Sequence, residues 1–468
     1  MPVNTPHPQY DKARLARQLV RDVCTGSAAI KAASEAYLPM PNAKDRSPEN
    51  IARYDSYLAR AVFYEITKTT LINFTGAAFA EDPVFEKDGL DYLASDANGA
   101  GISIYQQAQA VLREQLSQDG CGLLVDYPTL ERPASVADQE NNGIRATISM
   151  YALDNIINWR IGKKGNAIRL ELVVLQEAIT KPKADDRFSL EEVQQWRVLE
   201  LDEQGYYCVS IHQKSDSGIN QVGETFYPAN AKGQKWTEIP FQIVRSFAND
   251  WTVGQIPLEP IANVNIAHYH NSADYEDSLF ICGQVQPVIT GLDTEWAKSL
   301  KEEGVYIGSR TPIMLPVGGD FSFAQAQPNM LAKEGMDNKL EMMKQLGARL
   351  IEPGSAAKTA TQSNQDTKVQ HSILSLCVAN LNEAYINCLR WVSEFMGRGD
   401  KATFAVKQDF ALASIDIQTA QQLYNAALAG KISWATYWDY IRTGKLPERT
   451  YDQELLLIEN PNPGDVPV

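Results

Sequence analysis

Apolar positions along this chain fall into two periods, about 3.6 residues in some stretches and 2 in others. The longest helical stripe lies late in the chain. Val369, Ile373, Leu376, Cys377, Leu381, Ala384, Cys388, Trp391, Val392 and Phe395 recur at three- and four-residue steps. Gly397 and Gly399 supply a stop. The spacing predicts a helix from residue 367 to 396, roughly 45 Å long at 1.5 Å per residue. Small polar residues, Ala356 to Asp366, precede it. That combination suits a scaffold presenting a loop, and equally a plain core helix behind a surface loop.

Earlier residues follow the helical period three times more. Residues 11–24 read as a short charged helix, and 25–50 as a loop with Pro39, Pro41 and Pro48. From Asn50, the residues Tyr54, Leu58, Ala61, Val62 and Ile66 share a face. This predicts one helix to about Phe74, broken at Gly76. A further helix spans 103–117, and Cys121 to Pro128 reads as a short strand closed by proline. Residues 145–250 then change to period 2, with hairpin-type turns at Gly162–Asn166, Asp202–Gly205 and Ala231–Gly233. Six or seven mostly antiparallel strands are expected there, with one capped helical turn at Ser189–Glu192. The overall class is α+β.

Helical periodicity returns from Asn271 to Gly304, where Gly283, Pro287 and Gly291 should kink or split the helix. Seven acids (Asp274, Glu276, Asp277, Asp293, Glu295, Glu302, Glu303) face two lysines (Lys298, Lys301), a local balance of −5. Short strands and turns are expected at 305–328, and a helix at 329–346 partnering the one at 367–396. Two more helices fill 416–429 and 433–443, with Asp416 and Ser433 as caps and Gly430 and Gly444 at their ends.

Composition narrows the function classes. With 468 residues, 44% of them hydrophobic, the chain can bury a sizeable core. A net charge of −15 disfavours gripping nucleic acid by phosphate neutralisation, but does not exclude a surface past which DNA must slide without sticking. Cys24, Cys121, Cys208, Cys282, Cys377 and Cys388 show no C-x-x-C spacing and read as reduced, buried thiols. Met1 to Tyr10 lacks the apolar run of a signal peptide, and no 18-residue apolar span predicts a membrane crossing.

Catalytic signatures do not declare themselves. Gly430-Lys431-Ile432-Ser433 lacks the upstream glycine and strand of a phosphate loop, and neither a nucleophile elbow nor a zincin helix occurs. His268 and His270, if on a strand, could face one side and offer two imidazoles to a metal, but no third ligand is near. The expectation is therefore a non-enzymatic protein without cofactor or metal.

Three stretches resemble the portal proteins of tailed bacteriophages. The first runs from Arg53-Tyr54-Asp55 to Asn73-Phe74-Thr75-Gly76-Ala77-Ala78-Phe79-Ala80-Glu81-Asp82-Pro83. The second runs from Val111-Leu112-Arg113 to Gly120-Cys121-Gly122-Leu123-Leu124-Val125-Asp126-Tyr127-Pro128. The third is Gly347-Ala348-Arg349-Leu350-Ile351, followed by Thr359-Ala360-Thr361 and the long helix. The resemblance implies a homo-oligomeric ring, usually a dodecamer, at one capsid vertex of the virion, assembled in the host cytoplasm. Double-stranded DNA would be packaged and ejected through it without sequence specificity. It implies a wing (1–270), a first stem helix (271–304), a clip (305–328) and a second stem helix (329–351). A tunnel loop (352–366), a long wing helix (367–399) and a helical crown (410–460) complete the order.

The same resemblance implies Lys358, Thr359, Thr361, Gln362, Ser363, Asn364 and Gln365 as the residues lining the DNA tunnel. Tyr306, Arg310 and Met314 would be the clip contacts. The implied partners are the terminase large subunit, the head–tail adaptor and the major capsid or scaffolding protein, with no membrane. Acidic stem walls are expected to keep DNA from adhering. The competing expectations are a head–tail adaptor or minor head protein without a tunnel, and a hydrolytic enzyme built on the 145–250 sheet.

Overall fold

A computed structural model describes residues 2–128, 144–183, 186–215, 218–291, 293–303, 315–326, 330–351, 372–407, 417–443, 446–447 and 449–459. The chain divides into two compact units, Met1–Lys407 and Gln408–Val468.

The first unit opens with α1 (Tyr10–Thr25), α2 (Ser27–Ala32), α3 (Pro48–Arg60) and α4 (Ile66–Ala78). Strand β1 (Val84–Glu86), α5 (Ile104–Gln118), β2 (Gly120–Asp126) and β3 (Thr147–Ala152) follow. Next come β4 (Ile156–Lys164), β5 (Ala167–Pro182), β6 (Leu190–Leu201), β7 (Tyr207–Ser215), β8 (Gly218–Phe226) and β9 (Phe241–Arg245). The chain then runs through α6 (Glu259–Gly283), β10 (Gln286–Thr290), α7 (Thr294–Glu303), β11 (Asp320–Ala324), α8 (Met330–Ile351), α9 (Ile373–Met396) and β12 (Thr403–Ala405).

The period-2 region yields the seven strands expected between 145 and 250, all antiparallel but divided between two sheets. One sheet has the order β3-β2-β9, the other β4-β5-β6-β7-β8. The central strand β2 is buried from Gly120 to Val125, and α5 and α9 pack against it and β9. Gly122 is required there, because a Cβ would meet the Phe241 ring at 2.2 Å. Leu112, Leu116, Leu123, Ile243, Leu381, Tyr385 and Cys388 form this core, and their burial is what fixes the layers. Ser189–Glu192 is not a helical turn. Ser189 Oγ donates to Asp186 Oδ2 at 2.7 Å to close a turn, and Leu190 opens β6 opposite Pro182.

The helix expected from Asn50 to Phe74 is two helices. It breaks at 61–65 and passes through Gly76 without stopping. The cause lies about 200 residues downstream, in α6. Ser272 Oγ accepts from Val62 N at 3.2 Å, and the buried Asn265 Oδ1 accepts from Thr67 N at 3.2 Å and Thr67 Oγ1 at 2.9 Å. Asn265 Nδ2 completes the set on Tyr64 O at 2.9 Å. These side chains satisfy the backbone groups that a break orphans.

Other boundaries also shift. α6 begins at Glu259, twelve residues before the expected start, because Pro260 sits in the first turn where its missing N–H costs nothing. Gly283 ends the helix, and Pro287 lies in β10 opposite Phe323. The chief partner of α8 is α6, not α9. Lys339 Nζ donates to Asn271 Oδ1 at 3.2 Å, and a Cβ on Gly335 would meet Asn271 Nδ2 at 2.2 Å. α9 has 24 residues, with Ser372 Oγ accepting from Ser375 N as its cap and Gly397 in the left-handed region as its stop.

The second unit holds α10 (Ile417–Leu428), α11 (Trp434–Thr443) and α12 (Tyr451–Glu459). The first two match expectation, including Gly430 at φ 65° and Ser433 as cap. Asp416 and Gly444 lie outside the described residues. The sequence reading missed α12. Its Glu454 accepts from Ser433 N at 2.7 Å and Thr436 Oγ1 at 2.8 Å, tying it to the start of α11.

Candidate functional site: a helical excursion and the helix behind it

α6 packs on α1, α3 and α4 and most extensively on α8, and between these two helices in sequence β10 and β11 pair over Gln286↔Ala324 to Thr290↔Asp320. Gly291, at φ 73°, makes the close approach at the end of this ladder. A Cβ there would meet Gly318 O at 2.6 Å. Tyr306, Arg310 and Met314, the expected clip contacts, lie outside the described residues. So do Lys358, Thr359, Thr361, Gln362, Ser363, Asn364 and Gln365.

After residue 371, α9 is pinned to the turn after β9. Asn380 Nδ2 donates to Arg245 O at 3.0 Å, Asn249 Nδ2 donates to Asn380 O at 2.9 Å, and the fully buried Gln115 Nε2 bridges Arg245 O and Cys377 O, each at 2.9 Å. Such side-chain-to-backbone bonds in a buried setting hold one register of α9.

Electrostatics along α6 differ from the expected bare acidic wall. Asp277 pairs with Arg53 and, at 2.6 Å, with Arg60, and Asp274 accepts from Tyr57 Oη at 2.7 Å. Two of the seven acids therefore face α3. Asp293, Glu295 and Glu302 are exposed, beside exposed Lys298 and Lys301. The sequence reading missed this α3–α6 seam, whose only signal is Arg53, Tyr57 and Arg60 at three- and four-residue spacing on the helix.

Burial alone would raise the Asp277 carboxyl, but hydrogen bonds from Arg53 and Arg60, with their charges, hold it below its usual value. A carboxyl lowered in the folded state contributes stability above the unfolded pKa of 3.8, lost as pH falls through the folded value. Asp277→Asn is expected to cost about 1 kcal/mol at neutral pH, and the cost should shrink as pH falls below 3.8. Urea unfolding at pH 7 and pH 3 checks both arms, the second giving the smaller loss.

The two histidines sit on α6, not on a strand, and at i,i+2 on a helix they point to different sides. His268 is buried with its ring 4.8 Å from Tyr64, and His270 Nε2 lies 2.7 Å from Tyr37 O. Among the described residues no group of three or more His, Cys, Asp or Glu is placed to hold a metal. Burial pushes the Cys24 and Cys377 thiols up to about 12 and Cys208 to about 11, so none is an activated thiolate.

Open clefts also occur among the described residues, two of them large. One of ≈600 Å³ is lined by Tyr206, Asn230, Lys235, Trp236, Glu238 and Glu394. Glu238 is occupied by Arg390 at 2.9 Å and by Trp391 Nε1 at 2.9 Å, and Lys235 sits 3.9 Å from the Tyr227 ring centroid. The other, of ≈750 Å³, is lined by His7, Trp159, Arg160, Arg169, Asn249 and Trp251. Among the described residues, no helix is long and apolar enough to cross a membrane.

A family model described as a domain of unknown function, DUF4055, matches residues 257–396, from just before α6 to the last residue of α9. No curated protein matches. Among solved structures, a chain of the "Virion of native gene transfer agent (GTA) particle" is similar over 90% of this chain and 99% of its own, at 16% identity and a TM-score of 0.40.

Proposed function

We propose that the chain is a portal subunit of a tailed-bacteriophage particle, a virion structural protein whose copies close into a ring that conducts double-stranded DNA. The observation that carries this reading is the order α6–β10…β11–α8, then 352–371, then the clamped α9. Two helices packed on each other, α6 and α8, with a pair of strands between them in sequence, give the order of stem, clip and stem. Residues 352–366 would form the tunnel loop, with α9 as its fixed support. The wing is residues 1–270, the long wing helix 367–399 and the crown 410–460. The terminase large subunit and then the head–tail adaptor would dock at 305–328, at one capsid vertex.

Double-stranded DNA carries one charge per about 1.7 Å of its axis, so a basic lining would hold it and an acidic one repel it. With Asp274 and Asp277 engaged by α3, repulsion falls to the exposed acids, Asp293, Glu295 and Glu302 among them. The loop's Thr359, Thr361, Gln362, Ser363, Asn364 and Gln365 would offer short neutral groups, with Lys358 as its single cation. The chain then needs no nucleotide chemistry of its own.

Negative-stain microscopy of the purified protein tests the ring. An axial opening wide enough for a duplex is the expected result. A compact monomer, or an oligomer closed at its axis, would leave an adaptor or minor head protein. Lys358→Glu is expected to leave rings intact while reducing DNA filling at least several-fold, scored as DNA-filled heads per assembled particle. Normal filling would remove residue 358 from the tunnel.

A further inference from the structure

The first nine residues place Pro2, Pro6 and Pro8 among Val3, Asn4, Thr5 and His7. Proline fixes φ and thins the conformations open to a free arm, so seating it loses little entropy. The arm lies on β4, an edge strand of the five-stranded sheet. His7 N donates to Ile157 O at 2.8 Å, and Asn158 Nδ2 donates to Thr5 O at 2.9 Å. The His7 ring stacks on Trp159, with centroids 4.0 Å apart and planes at 22°.

Beyond the edge, Val3 and Tyr10 pack on the cluster of Ile157, Val174, Trp196 and Val198. The arm thus shields both an open ladder and an apolar patch, two surfaces that attract other chains when bare. The setting matches the way grooves lined by aromatic residues take extended proline segments, with ring faces for specificity and a preformed ligand. Trp159 also stacks on Trp251 at 5.6 Å, and both line the ≈750 Å³ cleft that stays open beside His7. An incoming segment can land there before the resident one leaves.

We propose that the groove over β4, walled by Trp159 and floored by Trp196, recognises extended proline-bearing segments, and that residues 2–9 exchange with the same segment of a second copy. Every copy carries both halves of the contact. Two hydrogen bonds, one ring stack and the seat of Val3 can be supplied in trans as well as in cis. The exchange stands whether or not the copies form a ring.

The test uses a fluorescein-labelled peptide with the sequence of residues 1–10, titrated by anisotropy against the intact chain and against a chain lacking residues 2–9. Saturable binding is expected to the shortened chain. The intact chain should bind at least tenfold more weakly, because its own arm competes at an effective concentration in the millimolar range. A peptide carrying Pro6→Ala, His7→Ala and Pro8→Ala should lose at least tenfold on the shortened chain. Should the shortened chain misfold, the same triple change in the full-length protein is expected to strengthen binding of the unmodified peptide. The proposal is overturned if the folded shortened chain shows no saturable binding, or if the alanine peptide binds equally well. It is also overturned if the intact chain binds the peptide as tightly as the shortened chain does, because the resident arm would then not occupy the same groove.

Discussion

Asp119→Ala is expected to lower the unfolding free energy by about 3–5 kcal/mol. Asp119 closes α5 in the left-handed region at φ 70°, and its carboxylate is 2% exposed as a residue. It accepts from Arg245 Nη1 at 2.6 Å and from Gly254 N at 2.9 Å. Burial pushes the carboxyl up and Arg245 pulls it back, a pair whose value lies in being complete. Alanine would leave a guanidinium that is 4% exposed without its counter-charge, and would strain the left-handed turn. Asp119→Asn with Arg245→Met keeps the turn and removes both charges, so it should cost less than Asp119→Ala alone. Urea denaturation of the three proteins decides it, and a loss below 1 kcal/mol in the alanine variant contradicts this account.

The second large effect is at Asn265. Asn265→Leu is expected to cost about 3 kcal/mol, because it strands Thr67 N, Thr67 Oγ1 and Tyr64 O inside the α4–α6 contact. Ser272→Ala removes one bond, to Val62 N, and should cost about 1 kcal/mol. Equal losses for the two variants would mean that Asn265 fills space rather than capping the break.

The sequence reading placed α1, α5, α9, α10 and α11 and the run of antiparallel strands, because each carries its own period and its own stop. Gly397, Gly430 and Ser433 act within a turn of the elements they end or start. It failed where the deciding residue is remote. Nothing near Ala61 says that the helix breaks; Asn265 and Ser272 say it. The start of α6 at Glu259 was missed because helical periodicity was read only from Asn271, although Pro260 fits a first turn. The partner of α8 was misassigned because periodicity gives a face and no direction. At the candidate site, the acids at 274 and 277 were legible as charge but not as the partners of Tyr57, Arg53 and Arg60 on a helix 217–224 residues earlier. The expected tunnel-lining residues and the clip contacts Tyr306, Arg310 and Met314 lie outside the described residues, so their roles are proposed from chain order.

The cap that Asn265 supplies also sets a schedule for synthesis. Thr67 leaves the ribosome 198 residues before its partner, a wait of about 10–40 s at ordinary elongation rates. Through that interval α1, α4 and α5 can pack on one another, but the 61–65 break lacks the Asn265 and Ser272 side chains that satisfy it. The break is completed only once α6 has emerged.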